Sequence, residues 1–193
     1  FTTATDSFNV AVGHAAGTSV TTGVQNTFVG SLAGDALNTG QNNVAMGYLA
    51  LSGDTKGENS VAIGVLALNA QNFTTATNSY NVAVGRSAGA AVTTGVNNIL
   101  IGGLAGDALT DADDNVAIGA AALGNDTLGS KSVAVGRAAL NTQNFTTATD
   151  SYNVAMGYFT GVSITTGIQN TLIGGLAGDA LTTGSYNTAL GYG

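Results

Sequence analysis

Apolar residues along this chain come in three-residue bursts, each preceded by asparagine or serine and closed by glycine, as in Asn9-Val10-Ala11-Val12-Gly13 and Asn115-Val116-Ala117-Ile118-Gly119. The residue just before the glycine is large and apolar in every copy, from Val12, Val29 and Met46 through Ile173 and Leu190, and the residue three before it is Val, Ile or Thr. β-Branched residues at alternate positions of a short run bounded by Asn and Gly predict a strand rather than a helix. The position between them is Ala, or else Phe28, Leu100 or Leu172, so the second face of the strand is also apolar but mostly small.

The closing glycines fall at 13, 30, 47, 64, 85, 102, 119, 136, 157, 174 and 191, with spacings of 17, 17, 17, 21, 17, 17, 17, 21, 17 and 17. A fixed short period carrying one strand-like phrase per turn predicts an all-β fold, a parallel β-roll or β-solenoid of about eleven coils spaced about 4.8 Å apart. A longer period of 72 is nested in it: residues 1–72, 73–144 and the partial unit 145–193 align without a gap, and about 60% of positions match between the first two. The chain therefore reads as one array over 1–193. Phe1, Phe73 and Phe145 open the same five letters, and this phase at the ends suggests a window on, or a processed piece of, a longer fibre.

Ten residues after the closing glycine a second one recurs, at Gly23, Gly40, Gly57, Gly95, Gly129, Gly167 and Gly184. In the long coils the matching position holds Asn78 or Asp150, with Asp6 in the partial first coil, and Asn and Asp tolerate positive φ best after Gly. Two turns per coil predict two short strands per 17-residue coil and hence a flattened roll. One such coil has a single interior, so one of the two apolar strand faces is expected to need a neighbour, and the small Ala face would admit a close one. The recurring Asn is expected to stack as an amide ladder that satisfies buried turn groups.

Composition narrows the function classes. Apolar content of 44% with 8% charged residues is the balance of a folded chain, not a disordered one. A net charge of −7, with Lys56, Arg86, Lys131 and Arg137 scattered, argues against nucleic acid as a partner. No apolar run approaches a bilayer span, so no membrane insertion by this segment is expected. Cysteine is absent and His14 is the sole histidine, which leaves no zinc set, no cofactor motif and no nucleophile with a positioned base. The expectation is a chain without enzymatic activity, cofactor or metal.

The segments Asn59-Ser60-Val61-Ala62-Ile63-Gly64-Val65-Leu66-Ala67 and Lys131-Ser132-Val133-Ala134-Val135-Gly136-Arg137-Ala138-Ala139 resemble the head repeats of trimeric autotransporter adhesins. Thr166-Gly167-Ile168-Gln169-Asn170-Thr171-Leu172-Ile173-Gly174 also looks like repeats of bacteriophage tail fibres. The resemblance spans nearly the whole chain and includes the Ala three after the closing glycine. It implies a left-handed parallel β-roll, trimeric, with strands stacked along the fibre axis. Partners would then be the chain itself, as a homotrimer or a head-to-tail filament, with host surface glycans or matrix as targets. The place would be extracellular, at a cell surface or on a virion appendage. The usual head repeat is shorter than 17 residues.

The extra four residues of every long coil lie within Phe73-Thr74-Thr75-Ala76-Thr77 and Phe145-Thr146-Thr147-Ala148-Thr149, loops that would protrude. Phe73, Thr74, Thr75, Thr77, Phe145, Thr146, Thr147 and Thr149 are accordingly candidate ligand or glycan positions. The alternative is a neutral turn extension with its Phe tucked back. Asn72, Asn144 and Asn125 each open an N-x-T glycosylation pattern. Asp111, Asp113 and Asp114 form an acidic cluster, and Asp35, Asp107 and Asp179 recur in Leu-Ala-Gly-Asp-Ala-Leu; solvated turns are favoured over calcium at both. The leading functional expectation is a structural or adhesive fibre segment. Two alternatives stand beside it, a phage fibre shaft and a monomeric ice- or carbohydrate-binding solenoid. The last would need a flat ladder of one side-chain type, whereas Thr-Thr-Gly begins only at 21, 93, 165 and 182.

Overall fold

A computed structural model describes residues 6–193; the opening letters at Phe1 lie outside the described residues. Among the described residues the chain is all-β, without helix. Eleven three-residue strands sit on the Asn-apolar-small-apolar phrase. They are β1 (Val10–Val12), β2 (Thr27–Val29), β3 (Val44–Met46), β5 (Val61–Ile63), β7 (Val82–Val84) and β8 (Ile99–Ile101), then β9 (Val116–Ile118), β11 (Val133–Val135), β13 (Val154–Met156), β14 (Thr171–Ile173) and β15 (Thr188–Leu190). They form one parallel sheet in chain order, each strand in register with the next, as in Val10↔Thr27 and Val61↔Val82. The result is a β-solenoid of about eleven coils.

Among the described residues the second strand expected in each coil forms at two places: β4 (Gly57–Glu58) pairs with β6 (Thr77–Asn78), and β10 (Gly129–Ser130) with β12 (Thr149–Asp150). Elsewhere the far side of the coil is a chain of turns. Gln25, Asn42 and Asn97 stand near φ +60, as do Asn59 and Lys131 just after β4 and β10, so any extended run on this side is held to a few residues. Axial hydrogen bonds persist without the strand, as from Thr21 N to Asn38 O at 2.9 Å and Asn42 N to Val24 O at 3.1 Å. Gly57 pairs with Thr77 but Val61 with Val82, so three extra residues of the long coil are Thr74–Ala76 and the fourth is a bulge between Asn78 and Val82, where Tyr80 has φ +49.

The two rows of glycine answer different needs. The closing glycines combine positive φ with crowding: at Gly47 φ is +137, and a Cβ there would lie 2.5 Å from Gly64 O in the next coil. The second row was expected to serve a positive-φ turn, and it does not; Gly40 is placed by close approach, since its Cβ would meet Gly57 O. Asn78 and Asp150 are likewise not at positive φ.

The faces of the sheet are opposite to the sequence expectation. The small row, Ala45, Ala62, Ala83, Ala117, Ala134 and Ala155 with Phe28, Leu100 and Leu172, points into the coil and is fully buried. The β-branched rows point outward. A 17-residue coil is too narrow to hold two ladders of Val and Ile against its far wall, so the wall supplies the bulk instead. Four residues after the closing glycine that wall carries Leu51, Leu68, Leu123 or Leu140, or else a glycine with an aliphatic three residues further on, as in Gly34 with Leu37. Glycine is used where the strand side chain is large: a Cβ at Gly34 would lie within contact distance of Phe28, and one at Gly106 would lie 2.7 Å from Leu100 Cδ2.

In the Leu coils the residue three further on is polar and buried. Gln71 Nε2 donates to Asp54 Oδ2 at 2.6 Å and to Ser60 Oγ at 2.8 Å, and Asn81 Nδ2 donates to Gln71 Oε1 at 2.9 Å. Asp54 Oδ1 accepts from Gly57 N at 2.9 Å and Phe73 N at 3.2 Å. The same set recurs at Gln143, Asp126, Ser132, Asn153 and Phe145. Between these sets the Asn ladder runs as expected: Asn26 Oδ1 accepts from Asn43 N at 2.9 Å, and Asn43 Nδ2 donates to Gly57 O at 2.9 Å. Where Ser60 and Ser132 replace Asn, Gln71 and Gln143 carry the amide row across.

Candidate assembly surface

The pleat that sends Ala inward sends the other two residues of every strand outward, mostly β-branched, with Met46, Met156 and Leu190 the exceptions. Val44 and Met46, Val61 and Ile63, Ile99 and Ile101, and Val116 and Ile118 therefore stand side by side along one face that no other described residue covers. Met46, Ile63, Ile99, Ile101, Ile118, Met156 and Ile173 are each 37–43% exposed, although they lie in the middle of the sheet. Eleven strands about 4.8 Å apart and about 10 Å wide give roughly 500 Å² of projected apolar area. That is at the upper end of the roughly 300–600 Å² found for the largest patch on monomers.

The rims of this face are aromatic and charged. On one side lie Phe8, Tyr80, Tyr152 and Tyr186, exposed and held at φ between +49 and +63. Here Lys131 Nζ bonds Asp150 Oδ2 at 2.6 Å and lies 5.4 Å from the Tyr152 ring centre. The salt bridge lifts the lysine above its ordinary pKa and holds the carboxyl below its own. On the other side Arg137 lies 5.6 Å from the Phe159 ring and 6.0 Å from that of Tyr158.

The loops of the long coils lie away from this face. Phe73 and Phe145 are tucked in, 6% exposed, with their N–H groups on Asp54 and Asp126, while Thr74, Thr75, Thr146 and Thr147 are exposed. Thr77 and Thr149 belong to β6 and β12 and donate to Thr75 O at 3.1 Å and Thr147 O at 2.9 Å. Asn72, Asn125 and Asn144 are exposed.

The acidic cluster does not converge on a common point. Asp113 accepts from Val96 N at 2.7 Å, Asp111 from Thr94 Oγ1 at 2.5 Å and Asp114 from Asn97 Nδ2 at 3.2 Å, each reaching toward the preceding coil. Burial, with Asp111, Asp114 and Asp150 nearby, pushes the Asp113 carboxyl up despite the Val96 bond. Among the described residues no group of three or more His, Cys, Asp or Glu is placed to hold a metal ion, and no helix is long and apolar enough to cross a membrane. His14 is exposed, and Asp35, Asp107 and Asp179 lie four coils apart, not one above another.

Sequence reasoning identified the rows that make up the face but assigned it to the wrong side of the strand. The signal that could have corrected this is the glycine at 17, 34, 89, 106, 161 and 178, which flanks every coil whose strand carries Phe or Leu at the small position. No protein-family model matches the chain, and no curated protein or solved structure matches it.

Proposed function

We propose that this chain is a non-enzymatic structural or adhesive segment of an extracellular fibre, in which copies of the solenoid lie parallel and cover one another's outward Val and Ile rows. Three copies around one axis, each a left-handed roll, is the arrangement that the resemblance of the Asn-Ser-Val-Ala-Ile-Gly phrase to adhesin heads implies. The observation that carries the reading is the uncovered apolar face. Burying about 500 Å² on each copy is worth roughly 12 kcal/mol per copy before the costs of association. A stable interface usually takes about 800 Å² per partner, so the aromatic rims would have to join it. Stiffness would follow from axial hydrogen bonds in every coil, and reach from repetition. A bacterial surface adhesin and a phage fibre shaft share this physics.

A second reading, a monomeric ice- or carbohydrate-binding solenoid, is favoured by one row. Eight residues after the closing glycine every coil carries Thr or Asn, from Thr21, Asn38 and Thr55 to Thr165 and Thr182. The loops at Thr74–Ala76 and Thr146–Ala148 rise beside this row and interrupt any flat plane. Native mass separates the readings: a particle of three times 18.9 kDa, or a filament of uniform width, supports the fibre, and a monomer at micromolar concentration removes it.

A further inference from the structure

Three Asn-x-Thr patterns occur in the chain, and the fold puts them in two different settings. At Asn72-Phe73-Thr74 the middle residue is turned inward, so Asn72 and Thr74 are exposed to either side of it. Asn72 is held by its backbone, N to Thr93 O at 3.0 Å, and its Oδ1 accepts from Thr55 Oγ1 at 3.0 Å. That bond occupies the oxygen and leaves Nδ2 without a partner among the described residues. Asn144-Phe145-Thr146 repeats each feature: Asn144 N bonds Thr165 O at 2.9 Å, and Oδ1 accepts from Thr127 Oγ1 at 3.1 Å. Neither Thr74 nor Thr146 has a hydrogen bond of its own among the described residues.

Asn125-Asp126-Thr127 differs at all three positions. Asn125 Nδ2 donates to Asn141 Oδ1 at 3.4 Å. Asp126 is fully buried and holds Gly129 N at 3.1 Å, Phe145 N at 3.0 Å and Gln143 Nε2 at 2.6 Å. The Thr127 hydroxyl is engaged by Phe145 O at 2.8 Å and by Asn144. The middle residue is buried at all three, but only here does it carry a bonded carboxylate, with the Asn amide nitrogen and the Thr hydroxyl engaged as well; at the other two the middle side chain is Phe, and the Asn Nδ2 and the Thr hydroxyl have no partner among the described residues.

We propose that Asn72 and Asn144, and not Asn125, are acceptor sites for N-linked sugar on the folded chain. The donor class is a nucleoside-diphosphate hexose. The bond from Asn Nδ2 to the sugar C1 forms as the C1–O bond to the diphosphate breaks; the nucleoside diphosphate leaves, and one amide proton passes to the transferase's base. The two sites are four coils apart, about 19 Å along the axis. Both lie outside the eleven-stranded sheet, so the apolar face stays uncovered by sugar.

The test incubates the folded protein with a soluble sequon-reading N-glycosyltransferase and UDP-glucose, followed by peptide mapping by mass spectrometry. Tryptic peptides of the same protein serve as the unfolded control. The expected result is hexose on Asn72 and Asn144 of the folded chain and on all three Asn in the peptides. Thr74→Ala removes the first site alone and Thr74→Ser restores it; Thr146→Ala and Thr146→Ser do the same for the second. The proposal is overturned if the folded chain stays unmodified while its peptides react, if Asn125 is modified as fast as Asn72, or if the peptides themselves are not accepted.

Discussion

Gln71 Nε2 donates to Asp54 Oδ2 at 2.6 Å, joining two fully buried side chains seventeen residues apart in sequence and one coil apart in the stack. Every contact to the carboxylate is an N–H donor, so the pair is a satisfied polar core and not an ion pair. Removing Asp54 orphans those donors. Asp54→Ala is expected to cost about 3 kcal/mol or more, because each buried unsatisfied group costs about 1–3 kcal/mol. Urea titration of that variant checks it, and a midpoint unchanged from the parent would contradict the network's role.

Phe28 and Gly34 make a second testable pair. Phe28→Ala alone leaves a cavity and should cost about 3–5 kcal/mol. Gly34→Leu alone overfills the coil, because a Cβ there already collides with the Phe28 ring. The double variant moves the bulk from strand to wall as at Ala45 and Leu51, although Leu37 stays where that coil has Asp54, and should be more stable than the sum of the singles by about 1–3 kcal/mol. Additive effects in that cycle would show that the two positions do not share space.

Backbone strain is spread along the outer corner. Ala121 sits at φ +55, where an L-residue carries about 1–2 kcal/mol of left-handed cost. Ala121→Gly relieves that cost but loses roughly 0.5–1 kcal/mol to the freer unfolded chain. The net expectation is a gain of about 0.5–1 kcal/mol, read as a higher thermal midpoint. A lower midpoint would show that the Ala methyl is held by packing.

The assembly reading is tested at the centre of the exposed face. Ile118→Glu puts a charge where copies would meet, yet the side chain points to solvent within one chain. Circular dichroism should keep its β signature while native mass falls to 18.9 kDa. An assembly that survives Ile118→Glu, with Ile101→Glu added, would place its interface elsewhere.

The period of 17 and 21, the strand phrase, its parallel stacking and the Asn ladder could all be read from one-letter spacing, because a solenoid repeats its local environment and each coil testifies for the rest. The tucked position of Phe73 was one of two alternatives that the sequence left open. What the letters by themselves could not decide was direction. Ala45 and Val44 alternate on one strand, and either face could have been the interior until the width of the coil and the bulk of Leu51 on the far wall were known. The same holds for Gln71: nothing in its neighbours marks it as the amide that replaces the one missing at Ser60, since the two meet only when the coils stack. Local spacing determined the coil, and three-dimensional volume decided which side of it faces out.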